Sequence, residues 1–357
     1  MAIAEPQSVS LRGLVRTVTN DLTAERLPIA DMSRATSLEL DRTLSLDPKR
    51  AQPQTGDIQR LEGPIQAIDV SRHSGDSPIR YFLDGTQRTL PVWRVGTTPI
   101  IAAVTAAAIL QRPSPAEISI IPESLVARIN WILPRYTDDP TLNHIVHLLE
   151  SMGNHVYDPL EAQHRDDPDV YQRMVGDYTD VLQRSYSTAT TLRARIESDL
   201  LQFWRLSISP TDHDSWIVVD GLLLTDTPNA IGLVKSAHAQ HFQGQEAAVL
   251  YDLPIGHRTG AYKLASSDVR EGAERAMWYL RMDNATGQDA RHGLIRLESS
   301  EVLADPGLID PISSWILAER APRPSTDARW PTLLYPIHLL ERMLKRRLDA
   351  LTAGWPT

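Results

Sequence analysis

The chain has 357 residues, a net charge of -9 and no cysteine, with 42% hydrophobic and 23% charged residues. This is the composition of an ordinary globular protein of one elaborated domain or two, and it excludes disulfides, thiolate metal sites and cysteine nucleophiles. It argues against a basic nucleic-acid coat protein, so any DNA contact must come from a local patch, a metal or a partner; the lack of cysteine suits a reducing cytoplasm.

In chain order, the first stretch, MAIAEPQSVSLRGLVRTV, has no charged region leading into a long apolar one, so no secretory leader is expected. Residues 8–22 place Leu11, Leu14, Val15, Val18 and Leu22 at helical spacing. This amphipathic helix is either a docking or dimerisation element or a helix packed on its own domain. Residues 31–62 are polar and contain proline, which predicts a linker, so 1–62 divides from a main domain over 63–350.

GPIQAIDVSR, PIRYFLDGT, TLPVWRV and TPIIAAVTAAAIL then read as an antiparallel meander over 63–110. The longest apolar run, residues 100–110, is too short for a bilayer span of about 20 residues, so no membrane is expected. Residues 112–205 read mainly helical, an insertion centred on about 112–190. Strands return with SWIVVDGLLL, AIGLVKSAH, AVLYDLPIG, GAYKLA, AMWYLRM and GLIRLESS, and LLYPIHLLERMLKRRLDALTA closes the chain as a helix. The order strands, helices, strands, helix predicts a mixed α/β fold with a helical insertion.

Two apolar runs end in Asp-Gly: YFLDGT with Asp84 and WIVVDG with Asp220. One Asp-Gly between apolar runs is ordinarily a hairpin turn. Two of them suggest a shared task, because aspartate is a poor strand former and is rarely buried unless paired or metal-bound. Glu197, in the helix TLRARIESDLLQFW, is the third candidate: Ile196, Leu200 and Trp204 form a core-facing stripe and Glu197 sits beside it, while Asp199 lies on another face. Three carboxylates of this kind can hold Mg²⁺ or Mn²⁺, and two such ions about 3.5–4 Å apart support phosphodiester hydrolysis.

The ordered set resembles the NurA family, DNA end-processing nucleases that act with the hexameric ATPase HerA. The matching residues are Asp84-Gly85-Thr86, Glu197, Asp220-Gly221-Leu222-Leu223, Lys235 in IGLVKS, Arg258 in HRTGAYKL, and Tyr335-Pro336 in LLYPIHLLE. The resemblance implies a ribonuclease H-like core and a manganese-dependent nuclease acting on DNA ends and single strands. It also implies a homodimer that docks on a HerA-like ATPase. By position, Asp84, Glu197 and Asp220 would bind Mn²⁺ (or Mg²⁺), Tyr335 would stand at the site's edge, and Lys235 and Arg258 would contact DNA phosphates. The chain departs from the family where a histidine is expected after Tyr-Pro: that position is Met343, and the nearest histidine is His338. A divergent member serving repair or antiviral defence is thereby implied.

Other features carry less. His144, His147 and Glu150 on one helix have core-spaced neighbours and no HExxH pattern. His238 and His241 follow Lys235, and Lys263 lies near Arg258. No GxxxxGK[ST] or GxGxxG loop occurs, so an ATP-driven motor would be a partner, and no GxSxG elbow occurs. The basic stripe of Arg342, Lys345, Arg346 and Arg347 fits a solvated helix C-terminus. The competing readings are a non-catalytic adaptor for an ATPase ring and a ribonuclease H-like enzyme that cleaves RNA.

Overall fold

A computed structural model describes residues 10–25, 32–34, 58–70, 76–114, 116–223, 225–235, 241–264, 274–286, 288–320 and 330–355. In chain order the elements are α1 (Leu11–Ala24), β1 (Met32–Arg34), β2 (Ile58–Arg60), β3 (Ala67–Asp69), β4 (Ile79–Val95), β5 (Thr98–Ser114), β6 (Glu117–Ile120) and β7 (Val126–Ile132). There follow α2 (Pro140–Ser151), β8 (His155–Tyr157), α3 (Glu161–Asp166), α4 (Pro168–Val175), α5 (Tyr178–Phe203), β9 (Trp216–Asp220), β10 (Ala230–Val234) and α6 (Gly244–Tyr251). The last part holds β11 (His257–Thr259), β12 (Tyr262–Leu264), β13 (Ala276–Arg281), β14 (Leu294–Ser299), α7 (Glu301–Ala304), α8 (Ile309–Ala318) and α9 (Tyr335–Leu351). The fold is α/β: one large mixed sheet, ordered β2-β12-β13-β14-β10-β9-β4-β5-β7-β8 along its main path, flanked by helices.

Its centre is a hairpin of two 17-residue strands, β4 and β5. The turn between them is made at Gly96, where φ is 54°. Asp84-Gly85 is therefore no turn and no strand end; it runs through the body of β4, paired with Ala108 and Ala107 of β5. The Asp-Gly signal is overridden because both faces of β4 are buried and its neighbours supply a full ladder of hydrogen bonds. β5 carries an Ala-rich run, Ala102 to Leu110, that is buried throughout, so it shows no alternation of polar and apolar residues. Its small side chains let helices lie close on both faces.

β9 runs parallel to β4 and β10 parallel to β9. The crossover from β7 to β9 is the helical segment α2 to α5. The expected helical insertion starts later than the sequence reading placed it: residues 117–120 and 126–132 are the strands β6 and β7. The polar residues Arg128 and Asn130 hide β7 in the sequence; Asn130 is buried because its side chain bonds Thr105 Oγ1 across the pair at 3.1 Å.

The two faces carry different helices. On one, Phe82, Leu90, Val92, Val104, Ala106, Ala108 and Val218 pack with Ile337, Leu340, Leu344 and Leu348 of α9. On the other, Tyr81, Leu83, Ala107, Ile217 and Val219 pack with Ile196, Leu200, Leu201 and Trp204 at the end of α5. Each buried Val, Leu, Ile or Phe among these contributes roughly 1.5–3 kcal/mol. Asp177 caps α5 by accepting from the Asp180 amide at 3.0 Å, and Asp139 caps α2 through the Thr141 and Leu142 amides. The amphipathic α1 buries Leu11, Leu14, Val18 and Leu22 in the α9-side core, and Asp21 meets His144 of α2 at 3.1 Å. Its apolar stripe is thus covered by its own chain. Most of the 31–62 linker lies outside the described residues. No helix among the described residues is long and apolar enough to cross a membrane.

Candidate functional site

The site is set by register. Leu83 of β4 lies beside Val219 of the parallel β9, and Phe82 beside Val218. One residue further, Asp84 stands beside Asp220, the last residue of β9. Phe82 and Val218 share the α9 face while Leu83 and Val219 share the α5 face, so Asp84 and Asp220, following them in alternation, lie on the α9 face together. β4 continues past this point and β9 does not. The two carboxylates therefore sit at the carboxyl end of β9, where open α/β sheets place their ligands.

Glu197 arrives from the opposite face, on α5. It can do so because residue 85 is glycine. A Cβ at that position would collide with Glu197 Oε1 and lie 3.0 Å from its Cγ and Cδ. The gap in the sheet surface at Gly85 is filled by the Glu197 carboxylate.

Asp84 is 4% exposed, and its Oδ1 accepts the Gly85 amide at 2.8 Å. Burial pushes its carboxyl well above the ordinary range; the negative charge of Asp220 adds to this, Lys235 opposes it, and Glu197 and Glu341 raise it further. Glu197 is pushed up to about 7 by burial, with Asp220 raising it and Arg193 and the Gly85 amide lowering it. Each of the other acids holds its own cation: Arg193 Nη1 to Glu197 Oε1 at 2.8 Å, Lys235 Nζ to Asp220 Oδ2 at 2.6 Å, and Lys345 Nζ to Glu341 Oε1 at 3.0 Å. Among the described residues no basic side chain forms an ion pair with Asp84. Nor do three His, Asp or Glu side chains there converge closely enough to chelate an ion as they stand. A cleft lined by Ala194, Glu197, Ser198, Leu201, Val219 and Asp220 to Leu222 opens beside the acids.

The segment after Asp220 is clamped from below. Gly221 takes a φ of 136° that side chains rarely adopt, and the chain turns back over β10. Leu223 sits above Gly232, where a Cβ would lie 3.0 Å from Leu223 Cγ. Glu298 of β14, 1% exposed, accepts the Leu223 amide at 3.3 Å and is itself held by Arg275 at 2.9 Å and Arg296 at 2.8 Å. Arg275 also donates to the Leu223 carbonyl.

Of the residues singled out in the sequence, Asp84, Glu197, Asp220 and Lys235 are brought together. Arg258 is not. It lies on β11, four strand positions from β9 in the order β9-β10-β14-β13-β11, or roughly 19 Å at about 4.8 Å per strand. It is 3% exposed and committed to Glu62 at 2.7 and 2.9 Å and to Asp310 at 2.5 Å, so no phosphate can reach it. The DNA contact expected of Arg258 is corrected to a structural ion pair. Lys263 is likewise on a distant strand, β12, near Glu274.

Tyr335 occupies the first turn of α9, 48% exposed, and makes no hydrogen bond to the carboxylates among the described residues. It is six positions before Glu341, roughly 9 Å along the helix axis. Met343, where the resemblance expects histidine, packs against the core. Glu341 is the α9 residue whose charge acts on Asp84. Its signal in the sequence is the one that marked Glu197: each acid follows a core-stripe residue by one place, Ile196 or Leu340, and has a basic residue four positions away. His238 lies outside the described residues; His241 is buried beside Arg296 at 3.4 Å. His144 and Glu150 are taken up by Asp21 and Arg135.

No protein-family model matches this chain, and no curated protein matches it.

Proposed function

We propose that the chain is a metal-dependent nuclease of NurA type, hydrolysing phosphodiester bonds in DNA on a ribonuclease H-like core. The observation that carries this is the placement of Asp84 beside Asp220 on adjacent parallel strands, with the Glu197 carboxylate seated against the neighbouring Gly85 and acted on by the Asp220 charge. The strand order β7-β5-β4-β9-β10 supports the core assignment. Three antiparallel strands, a helical crossover and a fourth strand inserted parallel to the first are what a ribonuclease H-like core requires.

The residues fit a divalent cation. Three oxygen-bearing acids lie near enough for their charges to act on one another without converging to chelating distance as they stand, and among the described residues the buried Asp84 has several like charges acting on it and no ion-pair partner; Mg²⁺ and Mn²⁺ favour such donors. Asp84, Glu197 and Asp220 would hold the metal, which would supply an activated water and stabilise the departing oxygen. The chain's own part is geometric and electrostatic. Gly85 admits Glu197, the Glu298–Arg275 clamp holds the turn after Asp220, and α5 and α9 close both sides of the acids. Glu341 adds a further negative charge from α9.

DNA as substrate, a homodimer and a HerA-like ATPase partner rest on the resemblance, and the missing phosphate loop leaves any motor to the partner. The test uses labelled single- and double-stranded DNA and RNA with Mn²⁺ or EDTA, comparing wild type with Asp84→Asn and Asp220→Asn. Metal-dependent DNA cutting lost in both variants supports the reading. Cutting that survives both overturns the site. No cutting of any substrate, with a HerA-like ATPase present, makes the chain an adaptor, and cutting of RNA alone moves it to the ribonuclease class.

A further inference from the structure

The ion pairs at the site have a consequence for how it is loaded. Asp220 and Glu197 are not open acids. The Lys235 ammonium lies 2.6 Å from Asp220 Oδ2, with its side chain 13% exposed, and the Arg193 guanidinium lies 2.8 Å from Glu197 Oε1 while also donating to the Gly85 carbonyl at 3.3 Å. Both cations come from elements that carry the acids or flank them: Lys235 follows β10, the strand next to Asp220, and Arg193 stands one turn before Glu197 on α5. Together they supply two positive charges to a spot where three carboxylates would otherwise repel one another. An ion held by the acids would sit where those two charges now act. A cation displaced from its acid turns to water or to another anion, and its charge is then open to a new partner. The nearest anion delivered with a phosphodiester substrate is its phosphate, a group that lysine and arginine both bind.

Resting on the metal-dependent reading above, we propose that Lys235 and Arg193 are exchangeable counter-ions. They neutralise Asp220 and Glu197 while the centre is free of metal, and when a divalent cation takes the carboxylates their head groups turn to the substrate phosphate. The site thus carries its own stand-in for the metal and converts that stand-in into a phosphate clamp. Arg193 is part of the substrate-binding surface on this account, although its i,i+4 spacing from Glu197 makes it look like an ordinary helix salt bridge.

The experiment has two arms on the full chain. In the first, Mn²⁺ alone is titrated calorimetrically into wild type, Lys235→Gln and Arg193→Gln, each checked for cooperative thermal unfolding. Removing a competing charge should tighten Mn²⁺ binding by about tenfold at Lys235 and less at the more exposed Arg193. The affinity of the same proteins for a short single-stranded oligonucleotide in Ca²⁺ should fall by about three- to tenfold. In the second arm, wild type is acetylated with and without Mn²⁺ and the lysines are quantified by mass spectrometry. Lys235 should become more reactive with Mn²⁺, while Lys263, on β12, should not change. This arm needs no variant to fold.

Mn²⁺ affinity that is unchanged or weaker in both folded variants, or Lys235 reactivity that does not rise in a wild type that binds Mn²⁺, overturns the exchange and leaves the metal reading intact. Mn²⁺ binding to the variants but not to wild type supports it in its strongest form. Mn²⁺ binding to none of the three proteins overturns both the exchange and the metal centre it rests on.

Discussion

Gly85 and Glu197 are complementary: the side chain that residue 85 lacks is replaced by the carboxylate of a helix on the other side of the chain. An alanine there would meet Glu197 Oε1 and crowd Cγ and Cδ at 3.0 Å. The backbone at 85 can accept alanine, so the Glu197 carboxylate has to give way. We expect Gly85→Ala to cost about 1–3 kcal/mol of stability and to weaken Mn²⁺ binding by on the order of tenfold or more. Calorimetric titration with Mn²⁺ reads the second effect, and an unchanged affinity would show that Glu197 is no ligand.

The parts of this site that could be read from the sequence are those with a local pattern. The stripe Ile196, Leu200, Trp204 announces α5 and puts Glu197 at its edge, and all three stripe residues are buried. Asp84 and Asp220 stand out because aspartate ends two apolar runs. What the sequence hides is set by distant partners. Asp84-Gly85 reads as a turn until β5 and β9 are paired on either side of it. Arg258 reads as a free strand cation, because Glu62 and Asp310, the acids that bind it, lie 196 and 52 residues away. Glu341 is masked by the basic residues around it, and only the packing of α9 on β4 turns it toward Asp84. Strand β7 is missed because Arg128 and Asn130 interrupt its apolar run, and Asn130 finds its partner across the sheet rather than in solvent.

Asp84 is a buried carboxyl with no ion-pair partner among the described residues, and burial disfavours its ionised form, so replacing it should have opposite effects on function and stability. Asp84→Asn keeps the size and the acceptor for the Gly85 amide while removing the charge that Asp220, Glu197 and Glu341 oppose. In EDTA at pH 8 the variant should be more stable than wild type by on the order of 1–3 kcal/mol. On the proposed nuclease reading, its metal-dependent cleavage should fall on the order of a thousandfold. Denaturant unfolding and a cleavage time course measure the pair. A variant that is less stable and equally active would mean that Asp84 is an ordinary structural aspartate.

Arg258 gives the reverse case. Its guanidinium binds Glu62 and Asp310 with the side chain 4% exposed, and Glu62 also accepts the Ala261 amide at 2.7 Å. Arg258→Met should cost about 3–5 kcal/mol, because two acids lose the charge that balances them and Glu62 is only partly exposed. At a temperature where the variant remains folded, its affinity for single-stranded DNA should equal that of wild type. A drop in affinity without a drop in melting temperature would restore Arg258 to the nucleic-acid surface.

The raised carboxyls at the site require two opposed pH trends. On the proposed reading, metal binding needs the ionised acids, and Glu197 is pushed up to about 7 with Asp84 well above its usual range. Mn²⁺ affinity should therefore climb by about ten- to hundredfold between about pH 6 and 8, at roughly one decade per pH unit for each proton released. Folding stability without metal runs the other way. A carboxyl whose folded pKa is raised favours the fold below its unfolded value and loses that contribution as pH rises through the folded one. For Glu197 the window runs from the ordinary carboxyl value of 4.5 to about 7, and at 1.36 kcal/mol per unit the loss is about 3 kcal/mol at most. Urea unfolding in EDTA should show stability falling across that window, and Glu197→Gln should make the fall shallower, leaving the part that Asp84 contributes. Saturating Mn²⁺ should flatten it, because an ion that binds only the ionised, folded site removes the penalty that burial imposes. A metal-free stability that rises from pH 5 to 7 would mean that Glu197 is already ionised in the fold, held by Arg193 alone.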